Sequence, residues 1–151
     1  MRFATYRRAA KTCTAVVVDD ELVDLPDGAD LAALLPLGLD ALLEAGGRAL
    51  RARSNVRPFA GVDLAPPLTP RSFRDFMTFE QHIDGAVKNQ GPQATIVPAW
   101  YDAPAFYFSN PEAMIGAHDD VALPPGCREL DFELARVSDD HGLLVPDLEL
   151  A

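Results

Sequence analysis

The sequence is short of cysteine, of positive charge and of long apolar runs. Its two cysteines, Cys13 and Cys127, lie far apart and match no metal-ligand spacing. They read as small buried hydrophobes in a reducing compartment. Thirteen Lys and Arg stand against twenty-three Asp and Glu, a net charge of -10. With no basic stripe to neutralise phosphates, the charge argues against a nucleic-acid partner. An acidic surface does not steer an anionic substrate either, so an acidic ligand would need a local cation. No run of about 18 apolar residues occurs, which excludes a membrane span. The start, Met1-Arg-Phe-Ala-Thr-Tyr-Arg-Arg8, has no apolar core long enough for a signal peptide. These absences predict a cytoplasmic protein with no membrane partner. What is present, 48% hydrophobic and 24% charged residues over 151 positions, is globular. The length suits one ordinary domain, or a small domain plus part of another.

Arg2–Arg7 and Thr12–Val18 read as strands joined by the turn Arg8–Lys11, and Glu21–Leu25 as a third strand closed by Pro26-Asp-Gly28. Asp30 is placed to cap a helix over Leu31–Leu35, which Pro36 interrupts. Leu39–Arg53 repeats Leu39, Leu42, Leu43 and Leu50 at helical spacing. Arg48, Arg51 and Arg53 gather at its end, as the helix dipole favours. The run Leu64-Ala-Pro-Pro-Leu-Thr-Pro70 cannot be helical and predicts an extended connector. A boundary there leaves a small α+β domain over 1–63, a β-rich second domain over 64–134 and a divergent tail over 135–151. Beyond the connector, Thr69 or Ser72 is placed to cap a helix reaching about Ala86, with Phe73, Phe76, Met77 and Ile83 on apolar positions. Gly91-Pro92 breaks the chain. Ala105–Ser109 is strand-like, Asn110-Pro111 is a turn, and Val121–Leu123 and Leu130–Leu134 flank Pro124-Pro-Gly126 to complete a β-rich half.

Asp75 and His82 carry the chemistry. In a helix, seven residues turn about 700°, which puts the two side chains within roughly 20° of one face. A carboxylate able to hold a cation and an imidazole able to move a proton would then look into the same space. In isolation each has a plainer reading, a solvated helix charge and a surface histidine. His118 and His141 have no supporting context and read as surface residues.

Three blocks resemble the fumarylacetoacetate hydrolase family in order and separation. They are Phe73-Arg-Asp-Phe-Met-Thr-Phe-Glu-Gln-His82, Trp100-Tyr-Asp-Ala-Pro-Ala-Phe-Tyr-Phe-Ser-Asn-Pro111, and Pro124-Pro-Gly-Cys-Arg-Glu-Leu-Asp-Phe-Glu-Leu134. The resemblance implies an α+β, mostly β fold: a small N-terminal domain, then the start of a rolled mixed β-sheet domain. It implies metal-dependent hydrolysis of a carbon–carbon bond in a small diketo or acylpyruvate-type acid, with Mg²⁺, Ca²⁺ or Mn²⁺ as cofactor. The neighbouring reactions of the family are isomerisation, hydration and decarboxylation. By the same resemblance Asp75 is a metal ligand, His82 the general base that activates water, and Tyr107 a substrate contact. Glu133 becomes a second metal ligand, and a homodimer is expected. The family's Glu-x-Glu pair is broken here, because its second carboxylate falls on Ala135. Residues 135–151 diverge from the pattern, so the sequence reads as truncated or frameshifted, and an inactive fragment is the non-enzyme alternative.

Overall fold

A computed structural model describes residues 1–130, together with the backbone of two short strands, Val137–Ser138 and Leu144–Val145, which pair antiparallel. It is an α+β structure of antiparallel sheets and short helices. The chain divides into two compact units, one formed by Met1–Thr69 with Met114–Ala151, the other by Pro70–Ala113.

The first unit is a four-stranded antiparallel sheet in the order β1-β2-β3-β4: β1 (Arg2–Arg8), β2 (Lys11–Val18), β3 (Glu21–Asp24) and β4 (Val56–Pro58). Two-residue turns join the first three strands. They require left-handed backbone, at Ala9 (φ 54) and Asp19 (φ 49). Between β3 and β4 lie α1 (Leu31–Leu34) and α2 (Leu39–Ala52). Asp30 caps α1, its side chain accepting from the Ala33 amide at 2.7 Å, as the sequence predicts. Arg53 ends α2 in a left-handed conformation and donates its amide to the Ala49 carbonyl at 2.8 Å.

Strand alternation sends alternate residues to opposite faces, and both faces of this sheet are covered. On one, Val16 and Val23 pack with Leu25, Leu31, Leu34, Leu42, Ala45 and Ala49, the inner stripe of α2 included. On the other, Tyr6, Ala15 and Leu22 pack with Val17, Val62 and Leu64. A carboxylate sits on this second face. The Tyr6 hydroxyl, on a residue only 1% exposed, donates to Asp24 Oδ1 at 2.7 Å. Arg8 and Arg57 approach Asp24 Oδ2 at 3.4 and 3.5 Å, and the Arg57 guanidinium lies 5.0 Å from the centre of the Tyr6 ring.

The sheet edges are protected differently. β4 is three residues long and ends in Pro58, which offers no amide. β1 is covered along part of its length by the connector: the Arg7 amide donates to the Asp63 carbonyl at 2.7 Å and the Ala65 amide to the Thr5 carbonyl at 2.9 Å. Arg7 also fastens the returning chain. Its guanidinium forks onto both oxygens of Asp119, at 3.0 and 2.7 Å, and reaches Asp63 at 2.8 Å. The fork holds the Asp119 carboxyl below its ordinary value, aided by the Gly116 amide, which donates to it at 2.7 Å.

Three sequence expectations are corrected. Phe73–Phe76 is a strand, and the helix after it is Glu80–Lys88, so no helix runs from 69 or 72 to about 86. Cys127 is exposed, its thiol donating to the Glu129 carbonyl at 2.9 Å, because it follows the Pro-Pro-Gly turn in an extended outer segment; Cys13 is half-buried against the second core face. Val121–Leu123 lies in that same exposed segment and forms no strand. Among the described residues, no helix is long and apolar enough to cross a membrane.

Two outcomes follow for the first unit. Burial, and then the bond to Asp24, push the Tyr6 phenol well above its ordinary 10.0. A raised pKa contributes stability that is complete below the unfolded value and lost as pH climbs past it. Tyr6→Phe should therefore cost about 1–3 kcal/mol at neutral pH, by leaving Asp24 short of a donor. It should also reduce the alkaline loss of stability; urea unfolding at pH 7 and in alkali reads both. Separately, a Cβ on Gly116 would stand 1.9 Å from the Leu64 carbonyl oxygen. Gly116→Ala should lift the returning chain, at a cost of about 1–3 kcal/mol, seen as faster proteolysis between Met114 and Leu123 with the β1–β4 sheet still protected.

Candidate functional site

The second unit is built on a two-stranded ladder, β5 (Phe73–Phe76) against β6 (Phe106–Ser109), with α3 (Glu80–Lys88) and α4 (Ala99–Asp102) between them in sequence. Phe73, Phe76, Phe106 and Phe108 are residue types that fit a pleated surface, and each segment supplies the partner the other needs. The antiparallel register sets Phe73 opposite Ser109, Arg74 opposite Phe108, Asp75 opposite Tyr107 and Phe76 opposite Phe106. The Met77 amide, donating to the Ala105 carbonyl at 3.1 Å, carries the pairing one step further.

Alternation gives the two faces different characters. One carries Arg74, Phe76, Phe106 and Phe108. The rings meet tilted at 5.1 Å (Phe76 with Phe106) and edge-on at 5.0 Å (Phe106 with Phe108). The Arg74 guanidinium lies over both β6 phenylalanines, 5.7 and 5.1 Å from their centres. The other face carries Asp75 and Tyr107 side by side. Asp75 is half-buried, while Tyr107 is 64% exposed.

His82 is the third residue of α3, exposed and one position before Ile83, the buried anchor of that helix. Asp75 and His82 are therefore not two positions on one helix face. They are carried by a strand and by the first turn of the next helix, with Met77–Phe79 between. The helical reading failed because Phe73 and Phe76 fit helix and strand patterns alike, and the distant Phe106–Ser109 segment decided between them. Helix formation begins only where Glu80, Gln81 and the Asp84–Lys88 ion pair favour it.

The ladder joins Asp75 to Tyr107. Glu133 lies outside the described residues, as does His141; His118 is exposed. Among the described residues, no three of His, Cys, Asp and Glu converge as a metal cage. Asp75 offers a hard oxygen of the kind that Mg²⁺, Ca²⁺ and Mn²⁺ take, but one carboxylate alone does not hold a hydrated dication. The described residues thus account for one candidate ligand, not for a whole cation site.

One polar contact has no counterpart in the sequence reading. The Tyr101 hydroxyl donates to Glu80 Oε1 at 2.8 Å, joining α4 to the first turn of α3. That bond, more than the partial burial and the charges of Glu80 and Asp84, raises the Tyr101 phenol above its ordinary value. The two residues are 21 positions apart, and nothing in their spacing announces the pair; the only sequence signal is that each sits in one of the resembling blocks. Compared with protein-family models and with curated proteins, the sequence matches none.

The face assignment has a measurable consequence. Phe106 has ring partners on its face, whereas Tyr107 stands outward on the other. Phe106→Ala should therefore destabilise the chain by about 0.5–1.5 kcal/mol more than Tyr107→Ala. Urea melts of the two variants give the ordering, and an equal cost would contradict the register.

Proposed function

We propose that the chain is a fumarylacetoacetate-hydrolase-family protein, a metal-dependent hydrolase of a carbon–carbon bond in a small diketo or acylpyruvate-type acid. The observation that carries this reading is the cross-strand pairing of Asp75 with Tyr107. The resemblance gives these two residues adjoining tasks, cation ligand and substrate contact. Directly opposed residues in a ladder have Cβ atoms about 4.5–5.5 Å apart, a separation suited to a small chelated acid. The reading also makes β5 and β6 the opening strands of a rolled sheet. It gives their exposed aromatic side chains a use as packing surface, within the fold or against a second copy in a homodimer.

On this reading Asp75 and Glu133 hold the cation, Tyr107 meets the substrate, and His82 takes a proton from water. When bound, a dication supplies Lewis-acid polarisation of a diketone and stabilises enolate charge. Ala135 stands where the family pattern has a second glutamate. Within that pair the ligand set is one carboxylate short, and weak binding is the consequence. His82 is exposed at a helix start, where water reaches it.

The test is a Mn²⁺ titration of the full chain, followed by paramagnetic resonance, beside acylpyruvate hydrolysis followed by loss of enol absorbance. Weak but saturable binding is expected, lost in Asp75→Ala and tightened in Ala135→Glu. Hydrolysis should require the metal and fall by about 10²-fold or more in His82→Ala. Binding indifferent to Asp75→Ala, or turnover indifferent to both Asp75→Ala and His82→Ala, would sink the reading.

A further inference from the structure

We infer that Tyr101 and Glu80 form a clamp that positions His82. The inference rests on the reading of His82 as the general base and extends it to two residues with no role so far. The need for a clamp follows from how α3 begins. Its first turn leaves backbone amides without helical partners, and the capping residue, Phe79, offers no side-chain acceptor. The first intrahelical support is the Ile83 amide, bonded to the Phe79 carbonyl at 3.1 Å. His82 lies within this uncapped first turn.

Tyr101 supplies a restraint from another element. Its hydroxyl holds Glu80 Oε1 at 2.8 Å, and its ring is braced edge-on by Trp100, with centres 4.9 Å apart and planes at 87°. Ile83 is buried and fixes the same turn through apolar packing. One turn is therefore gripped twice, by Ile83 and by the Glu80 carboxylate. His82 lies between these two points in sequence and about 200° round the helix from Glu80. The clamp thus fixes the turn without covering the side from which the imidazole projects.

Tyr101 is 59% exposed, and exposed hydrogen bonds add little to global stability. What this one confers is orientation. A base displaced by about 1 Å can lose 10²-fold in rate while the fold is unchanged. Tyr101 and Glu80 are positioning residues in this sense, acting on water and substrate only through His82.

The test compares the full chain with Tyr101→Phe, Glu80→Ala and the double variant, by amide exchange at Ile83 and by the NMR resonances of the His82 imidazole. Tyr101→Phe should speed Ile83 exchange about fivefold, the loss of one hydrogen bond, and shift the His82 ring signals. The double variant should exchange no faster than Glu80→Ala, because both single changes break the same bond. Where hydrolysis is measurable, kcat should fall about tenfold in Tyr101→Phe with KM unchanged. Ile83 exchange and His82 signals unaltered in Tyr101→Phe would overturn the clamp, and so would additive effects in the double variant. If those signals move while the parent chain hydrolyses no acylpyruvate, the clamp stands and the hydrolase reading falls instead.

Discussion

The first unit depends on where Arg7 sits. It is the penultimate residue of an edge strand, and one side chain there reaches two stretches of chain remote in sequence. Its backbone pairs with Asp63 and its guanidinium binds Asp63 and Asp119. The chain departs for the second unit after Thr69 and returns at Met114, so Arg7 holds the outgoing and the returning segments to the same strand end. Planarity explains why this residue is an arginine. A fork of N–H donors can meet two carboxylates and a carbonyl at once, whereas a lysine ammonium would make point contacts. Gly116 completes the arrangement by letting the returning backbone press against the Leu64 carbonyl without a side chain between them.

Much of the first unit was legible in the sequence because its signals are local. β-branched runs, two-residue turns, the Asp30 cap and the leucine repeat of α2 each act within a few residues, and the structure has all of them at nearly the expected places. The second unit was less legible. Phe73–Phe76 has a pattern that both helix and strand accept, and its state is set by a partner some thirty residues further on. Cys127 was misplaced for a related reason. Cysteine prefers burial on average, but a residue just after a Pro-Pro-Gly turn goes where the turn takes it.

The candidate site divides in the same way. Residue types and the resembling blocks singled out Asp75, His82 and Tyr107, yet the geometry first derived for them, two side chains on one helix face, was wrong. Cross-strand register brings Asp75 to Tyr107, and register is not visible until both strands and their pairing are known. The Tyr101–Glu80 bond was still less visible, since each residue alone looks like an ordinary surface polar group. Such pairs come to light only when two elements are placed together.

The ladder of the second unit also shows how strand alternation gives a small sheet two different faces. A two-stranded ladder is marginal by itself, and it needs one face committed to cohesion. Here the Arg74, Phe76, Phe106 and Phe108 face contributes tilted and edge-on ring contacts and a cation over two of the rings, with all four side chains exposed. Because strand residues alternate strictly, Asp75 and Tyr107 lie on the opposite face, together with Phe73 and Ser109. On that face Asp75 is half-buried and Tyr107 is exposed. The alternation that stabilises β5 and β6 is thus also what presents a carboxylate and a phenol side by side.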